Sequence, residues 1–232
     1  MKTTGMKAII LAAGKGSRMG RLTSSIPKTL VVVRGKPILD HIFDSLPKEV
    51  TDVIVVVGYR GDTIKKHLGT RYTGRAVHYV TQTVFDGPAR AVLLTRDFFT
   101  HPDERFFIIH GDELPSSQNM RDCLSHRYSW LCHPLTHSIP TGRVRLDAHG
   151  RIIGVREERF GCTPPCLSDG GVILVSARLF ACKPRRHLRT REWYLTSMVN
   201  QFLKKFPVYA VMGEPDLYLS TPADVDRVNR NM

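Results

Sequence analysis

The sequence predicts an α/β fold with a largely parallel sheet and right-handed crossovers. Three observations carry this. Continuous apolar runs, of the kind a strand buried on both faces requires, recur at 7–12, 52–57 and 105–109. Segments of helical period lie between them. Glycine or polar turns separate the runs, as in alternating strand–helix layers.

In chain order, 7–12 is the first strand, followed by a glycine-rich turn through Gly20. Residues 37–46 place Ile38, Leu39, Ile42, Phe43 and Leu46 at helical spacing, with Pro37 at the start. A second buried strand, 52–57, is closed by Gly58. Residues 61–68 read as a short helix with Asp62 near its start and Gly69 beyond its end. Residues 76–81 alternate as a strand, 88–99 form a helix, and 105–109 form a third buried strand that ends in His110-Gly111-Asp112-Glu113. The alternation holds to about residue 125. Beyond it, 128–133, 143–147 and 151–157 read as strands, the last two joined by the turn 147–150. Residues 171–175 form an apolar strand, 192–206 a helix, and 208–212 and 217–219 short strands. Thr221 as N-cap, Pro222 at the first position and Asp224 near the positive end open a final helix to about residue 229. No internal repeat or linker is visible, so 1–232 reads as a single domain.

The 232 residues are 42% hydrophobic and 24% charged, which excludes a disordered chain. No apolar run approaches the ~20 residues of a membrane span, and the N-terminus lacks a signal peptide's layout. A cytoplasmic protein without a membrane span is expected. Thirty-four Lys and Arg against 21 Asp and Glu give a net charge of +13, which suits a polyanionic partner: nucleic acid, acidic lipid or a polyphosphate substrate. The densest basic stretch, 183–191, reads as a solvated loop and helix start. No RNA-binding signature or aromatic stacking platform accompanies the charge, so no nucleic-acid partner is expected. The five cysteines read as reduced thiols. Cys162 and Cys166 lack the second ligand pair of a structural zinc site.

The strongest chemical signal is the first turn, Leu11-Ala12-Ala13-Gly14-Lys15-Gly16-Ser17-Arg18-Met19-Gly20. A tight glycine turn after a buried strand exposes backbone N–H groups that can cradle phosphate oxygens. Lys15 and Arg18 add positive charge. The stretch does not supply the G-x-x-x-x-G-K-[ST] of a Walker loop, and the third glycine of a dinucleotide-binding loop would fall at Met19.

With Pro27-Lys28-Thr29-Leu30 and Val33-Arg34-Gly35-Lys36-Pro37-Ile38-Leu39 following, this opening resembles the sugar-1-phosphate nucleotidylyltransferases. The resemblance runs along nearly the whole chain. Gln82 with Asp86-Gly87-Pro88-Ala89 resembles the segment that reads the base. Ile109-His110-Gly111-Asp112 resembles the strand end that places a magnesium ligand. Pro140-Thr141-Gly142-Arg143-Val144, Glu158-Arg159-Phe160 and Asp169-Gly170-Gly171-Val172 stand at sugar-side positions. Leu217-Tyr218-Leu219-Ser220-Thr221-Pro222 resembles the closing x-D-I-G-T-P.

The resemblance implies a three-layer, Rossmann-like nucleotide-diphospho-sugar transferase fold with a mixed, mainly parallel central sheet. It implies transfer of a nucleotidyl group from an NTP to a sugar 1-phosphate, giving an NDP-sugar and pyrophosphate, with Mg²⁺ as cofactor. Arg18, Lys28 and Asp112 are the implied catalytic residues. Leu11, Ala12, Ala13, Gly14, Gly16, Gln82 and Gly87 are the implied nucleotide-binding residues; Gly142, Glu158, Arg159 and Asp169 face the sugar phosphate; Asp112 and Asp216 hold the metal. No protein nucleophile is needed, because the sugar phosphate is already anionic. Self-association into a homo-oligomer is compatible with the pattern.

Three departures stand out. Tyr218 occupies the usual second metal-binding Asp; Asp216, two residues earlier, shares its face of a strand and is the expected substitute, with Glu214 the weaker candidate. Arg159 replaces a Lys, and a planar fork is not a compact ammonium. Asp169 replaces an Asn near the sugar, and a carboxylate cannot donate. Two alternatives stay open: a cytidylyltransferase acting on phosphocholine or a polyol phosphate, and a non-catalytic nucleotide-sugar-binding regulator of the same fold.

Overall fold

The computed structural model describes residues 5–136, 138, 141–158, 162–187, 190–215 and 219–230. In chain order come β1 (Met6–Ala12), the short pair β2 (Val32–Val33) and β3 (Lys36–Pro37), α1 (Ile38–Ser45), β4 (Val50–Val57) and α2 (Gly61–Leu68). β5 (Arg71–Tyr72), β6 (Arg75–Thr81), α3 (Pro88–Leu93), β7 (Arg105–His110) and α4 (Ser117–Leu124) follow. Then come β8 (Ser129–Leu135), β9 (Thr141–Leu146), β10 (Ile152–Glu158) and β11 (Cys166–Ser176). The pair β12 (Arg185–Arg186) and β13 (Trp193–Tyr194), α5 (Leu195–Leu203), β14 (Tyr209–Met212) and α6 (Pro222–Arg230) complete the order.

Among the described residues, one mixed sheet holds ten strands, in the order β10-β9-β11-β7-β1-β4-β6-β5, with β8 paired to β11 and β14 to β8. Its centre is a parallel block, β7, β1, β4 and β6. β11 runs antiparallel to β7, and the β9–β10 hairpin extends that half. From β1 the chain moves outward to β4 and β6, then returns to β7 on the other side. Such a reversal opens a crevice at the carboxyl ends of the strands.

The apolar runs divide between two cores by the period-two alternation of strands. Ala8, Ile10, Val53, Val55, Phe107 and Ile109 face one core with α1, α2, α4 and α6. Ile9, Ile54, Val56, Phe106 and Ile108 face the other with α3 and α5. Burial on both faces explains why these runs are continuous rather than alternating. Each fully buried Ile or Phe side chain contributes about 1.5–3 kcal/mol. The three-layer α/β architecture expected from the sequence is present.

Several boundaries differ from expectation. The helix read over 88–99 ends at Leu93. Thr95 Oγ1 donates back to Val92 O at 2.7 Å, and a separate 3₁₀ turn, Arg96–Phe98, follows; a hydroxyl bonded to its own backbone competes with the helix ladder. The helix read over 192–206 starts at Leu195, because Trp193 and Tyr194 pair with Arg186 and Arg185. β11 begins at Cys166 rather than residue 171, since a register break between Asp169 and Ile173 interrupts the apolar pattern. Cys162 and Cys166 are joined in a disulfide with Cα atoms 6.1 Å apart, so they are not the free thiols expected. The turn between them brings the pair within disulfide range, which sequence spacing alone does not show. Cys123, Cys132 and Cys182 are free and buried. Among the described residues, no helix is long and apolar enough to cross a membrane.

Candidate active site

A cavity of about 540 Å³ opens at the carboxyl ends of β1, β6 and β7. The turn after β1 lines it from Leu11 to Arg18. Two backbone bonds fix this turn: Gly111 N–H to Leu11 O at 3.1 Å and Tyr59 N–H to Ala13 O at 3.0 Å. Gly16 has φ +65°, and a Cβ there would stand 2.9 Å from Lys28 Cβ. Only glycine allows both the left-handed backbone and the passage of the Lys28 stem. Arg18 is exposed on the same turn, inside the first of two short 3₁₀ segments that meet at Gly20.

Asp112 follows β7 and lines the cavity with His110 and Gly111. Lys28 Nζ donates to Asp112 Oδ2 at 2.5 Å; the Lys28 side chain is 13% exposed and that of Asp112 36%. Burial alone would raise the Asp112 carboxyl, but the Lys28 ammonium, followed by His110, outweighs it and holds the group below the usual carboxylate range. Asp112 is therefore an anion that faces the cavity.

Gln82 leaves β6 buried, its Nε2 donating to Gly87 O at 3.3 Å. Gly87 has φ +112°, and a Cβ there would come within 2.6 Å of Trp193 O. The loop is thus pinned against β13, which holds Gln82 and Gly87 on one side of the cavity.

All of the expected catalytic and nucleotide-binding residues therefore line one cavity: Arg18, Lys28, Asp112, Leu11, Ala12, Ala13, Gly14, Gly16, Gln82 and Gly87. The sugar-side residues form a second group outside that lining. Asp169 Oδ1 accepts the Gly142 N–H at 2.9 Å and the Thr141 hydroxyl at 3.2 Å. Glu158 lies opposite Thr141 in the β9–β10 register. Burial, then the charge of Glu157, pushes the Asp169 carboxyl well above its ordinary value. Arg159, Asp216 and Tyr218 lie outside the described residues.

Three cavity residues had no role assigned from sequence. His110 Nε2 and Thr29 Oγ1 are buried without a hydrogen-bond partner. An unsatisfied buried polar atom costs about 1–3 kcal/mol, which a ligand's polar groups can offset. A histidine immediately before Gly111-Asp112 was the available signal for the first. Phe85, 55% exposed, places an aromatic ring at the cavity beside Gln82.

A family model for nucleotidyl transferases matches residues 7–129, just over half of the chain. The chain belongs to the nucleotidyl transferase family. Its relatives within that family include the UTP–glucose-1-phosphate uridylyltransferase AglF of Haloferax volcanii, 42% identical over 110 residues that cover 47% of this chain and 44% of the relative. The bifunctional protein GlmU of Methanocaldococcus jannaschii is 27% identical over 98% of this chain and 56% of its own length. The chain spans about half the length of those curated relatives. A UDP-glucose pyrophosphorylase solved with UDP-glucose shares its fold, with a TM-score of 0.80 at 18% identity and 97% of both chains covered. So does a glucose-1-phosphate thymidylyltransferase structure from Bacillus anthracis, at 0.76, 23% identity, and 97% and 94% coverage.

Proposed function

We propose that this nucleotidyl transferase joins an NTP to a sugar 1-phosphate with Mg²⁺, releasing pyrophosphate. One observation carries the reading: the glycine turn, Arg18, Lys28, Asp112, Gln82 and Gly87 converge on one cavity from four separate stretches of chain. The relatives named for sugar-phosphate chemistry support the substrate class.

The residues fit a magnesium ion of the kind that takes one or two carboxylates and completes its shell with phosphate oxygens and water. Asp112 is ionised and faces the cavity. Among the described residues no cluster of three or more His, Cys, Asp or Glu could form an all-protein site. Asp112 would hold the ion, with Asp216 as the second carboxylate. When bound, the ion neutralises charge at the α-phosphate.

The chain's own part is positioning and electrostatics. A sugar-phosphate oxygen forms a bond to the α-phosphorus while the bond to the β-phosphate oxygen breaks, and pyrophosphate leaves. Two polyanions must approach, so cations must offset their repulsion. Arg18, exposed on the turn, binds the pyrophosphate portion. Lys28 gives its ammonium to the phosphate at the reacting centre. Backbone N–H groups of the 14–18 turn hold the remaining phosphate oxygens, and Gln82 with the Gly87 backbone orients the base. Asp169, Gly142 and Glu158 orient the sugar, with Arg159 at its phosphate.

Pyrophosphate release across four NTPs and a panel of sugar 1-phosphates, with and without Mg²⁺, tests the reading. Inositol 1-phosphate and phosphocholine with CTP belong in that panel, because an inositol-1-phosphate CTP transferase also shares the fold, with a TM-score of 0.71. Turnover restricted to them replaces the sugar reading, and binding without turnover replaces the enzyme by a sensor.

A further inference from the structure

A buried hydrogen-bonded pair of side chains sits behind the Asp112 loop, outside the reaction described above. Glu113 and His133 are 7% and 4% exposed. His133 Nε2 lies 3.1 Å from Glu113 Oε1, and His133 Nδ1 donates to Glu214 O at 2.7 Å. Glu113 Oε2 accepts the Gly171 N–H. Both carboxylate oxygens and both ring nitrogens are therefore partnered.

The backbone around the pair leaves it no slack. A Cβ at Gly170 would stand 2.9 Å from His133 Nε2, one at Gly171 2.7 Å from Glu113 Oε2, and one at Gly213 2.6 Å from His133 Nδ1. Gly170 and Gly171 lie in the register break of β11 between Asp169 and Ile173. Breaks of this kind re-aim backbone groups beside functional sites; here the Gly171 N–H turns to Glu113. Gly213 N–H donates to Cys132 O at 2.8 Å, holding the third segment against β8.

Three stretches of chain meet at this pair. Glu113 is the residue after Asp112. Gly171 is two residues past Asp169. Glu214 is two residues before Asp216. A buried polar pair is weak evidence for stability, because desolvation can exceed what the pairing returns and an apolar pair of equal volume often serves as well. What this pair supplies, and an apolar one would not, is directed bonds to all three segments.

We propose that Glu113 and His133 are positioning residues for nucleotidyl transfer: a clasp that ties the turn carrying Asp112 to β8 and β11 and holds that carboxylate in the geometry a divalent cation needs. The inference rests on Asp112 as the metal-holding carboxylate. Outer groups that orient metal ligands typically change metal affinity or activity by about 10–100-fold when removed.

The test uses the full chain and its Glu113→Ala, Glu113→Gln, His133→Ala and His133→Gln variants. Mn²⁺ binding is measured by electron paramagnetic resonance with a non-hydrolysable NTP analogue. Mg²⁺ activation, kcat and the KM for NTP are measured alongside melting curves. The alanine variants are expected to lose about ten-fold or more in Mn²⁺ affinity and to need correspondingly more Mg²⁺ for half-maximal rate. Their KM for NTP at saturating Mg²⁺ stays near that of the unmodified protein. Glu113→Gln, whose amide oxygen still accepts the Gly171 N–H, is expected to recover part of the loss. Phe202→Leu, a change in the opposite core, serves as the control for lowered stability alone. If the alanine variants do not fold, the glutamine variants carry the test. Folded clasp variants with unchanged Mn²⁺ affinity and Mg²⁺ activation overturn the clasp, as does an equal shift in Phe202→Leu. An unmodified protein that neither binds Mn²⁺ with nucleotide nor releases pyrophosphate overturns the reading of Asp112 itself.

Discussion

Lys28 Nζ lies 2.5 Å from Asp112 Oδ2, an ion pair between groups 84 residues apart in sequence that spans the base of the glycine turn and the end of β7. Each partner neutralises the other. The proposed reaction parts them: the ammonium turns to the phosphates and the carboxylate to the cation. The pair keeps two opposite charges at the wall of the cavity, with the Asp112 carboxyl ionised throughout the neutral range.

Asp112→Asn preserves shape and removes the anion. Pyrophosphate release is expected to fall by about 10²-fold or more, about 2.7 kcal/mol of transition-state stabilisation. A variant that keeps more than about a third of kcat, a loss under ~1 kcal/mol, removes Asp112 from the mechanism.

Arg18→Ala and Lys28→Ala are expected to separate two effects. Both lower kcat/KM strongly, on the order of 10²-fold, because each cation faces a polyanionic substrate. They differ in stability. Arg18 is exposed, so its loss leaves the melting temperature unchanged. Lys28 is largely buried, and its loss leaves Asp112 without its partner, so the melting temperature of Lys28→Ala falls. Unchanged kinetics in both variants would remove the two residues from the mechanism.

The parts that were legible in the sequence are those whose signal is local. α2, Gly61–Leu68, is bounded by the Asp62 and Gly69 signals and matches its expected limits. The cavity residues could be read because they sit in short motifs at strand ends. α4 was not legible although its capping box is explicit: Ser116 and Asn119 exchange side-chain-to-backbone bonds at 3.0 and 3.1 Å. Its polar surface hid the two inward residues, Met120 and Cys123. The clasp was not legible at all. Glu113, His133, Gly171 and Glu214 carry no shared motif, and the pairing of β11 with β7 and β8 and of β14 with β8 brings them together.

Acid should remove the contribution that the Glu104 carboxylate makes to stability. Burial raises its pKa, but the Lys7 ammonium at 2.9 Å, then the His101 and Thr100 N–H groups, outweigh that and bring it to about 2. A depressed carboxylate contributes stability above its unfolded value, near 4.5, and loses it as the pH falls toward about 2. Glu104→Gln is expected to cost about 2–3 kcal/mol at pH 7 and little at pH 2. Urea melts at the two pH values check this; an equal cost at both would show that hydrogen-bond geometry, not charge, is what Glu104 supplies.

Asp169 should behave in the opposite sense. Its carboxyl is pushed up by burial and then by Glu157, although the Thr141 hydroxyl and Gly142 N–H oppose the shift. The folded chain therefore holds a proton there at pH values where the unfolded chain has released it. Stability falls as the pH rises from the ordinary carboxylate range through the raised value. Asp169→Asn removes the titration, and its amide oxygen can still accept from Gly142 and Thr141. The variant is expected to melt progressively higher than the unmodified protein as the pH goes from 4 to 8. The same exchange bears on function, because a protonated carboxyl can donate to a sugar hydroxyl and an ionised one cannot. The KM for sugar 1-phosphate should therefore rise with pH in the unmodified protein and stay level in Asp169→Asn. A melting difference that is flat across that range would show that Asp169 is ionised in the fold, and the donor role at the sugar would fall with it.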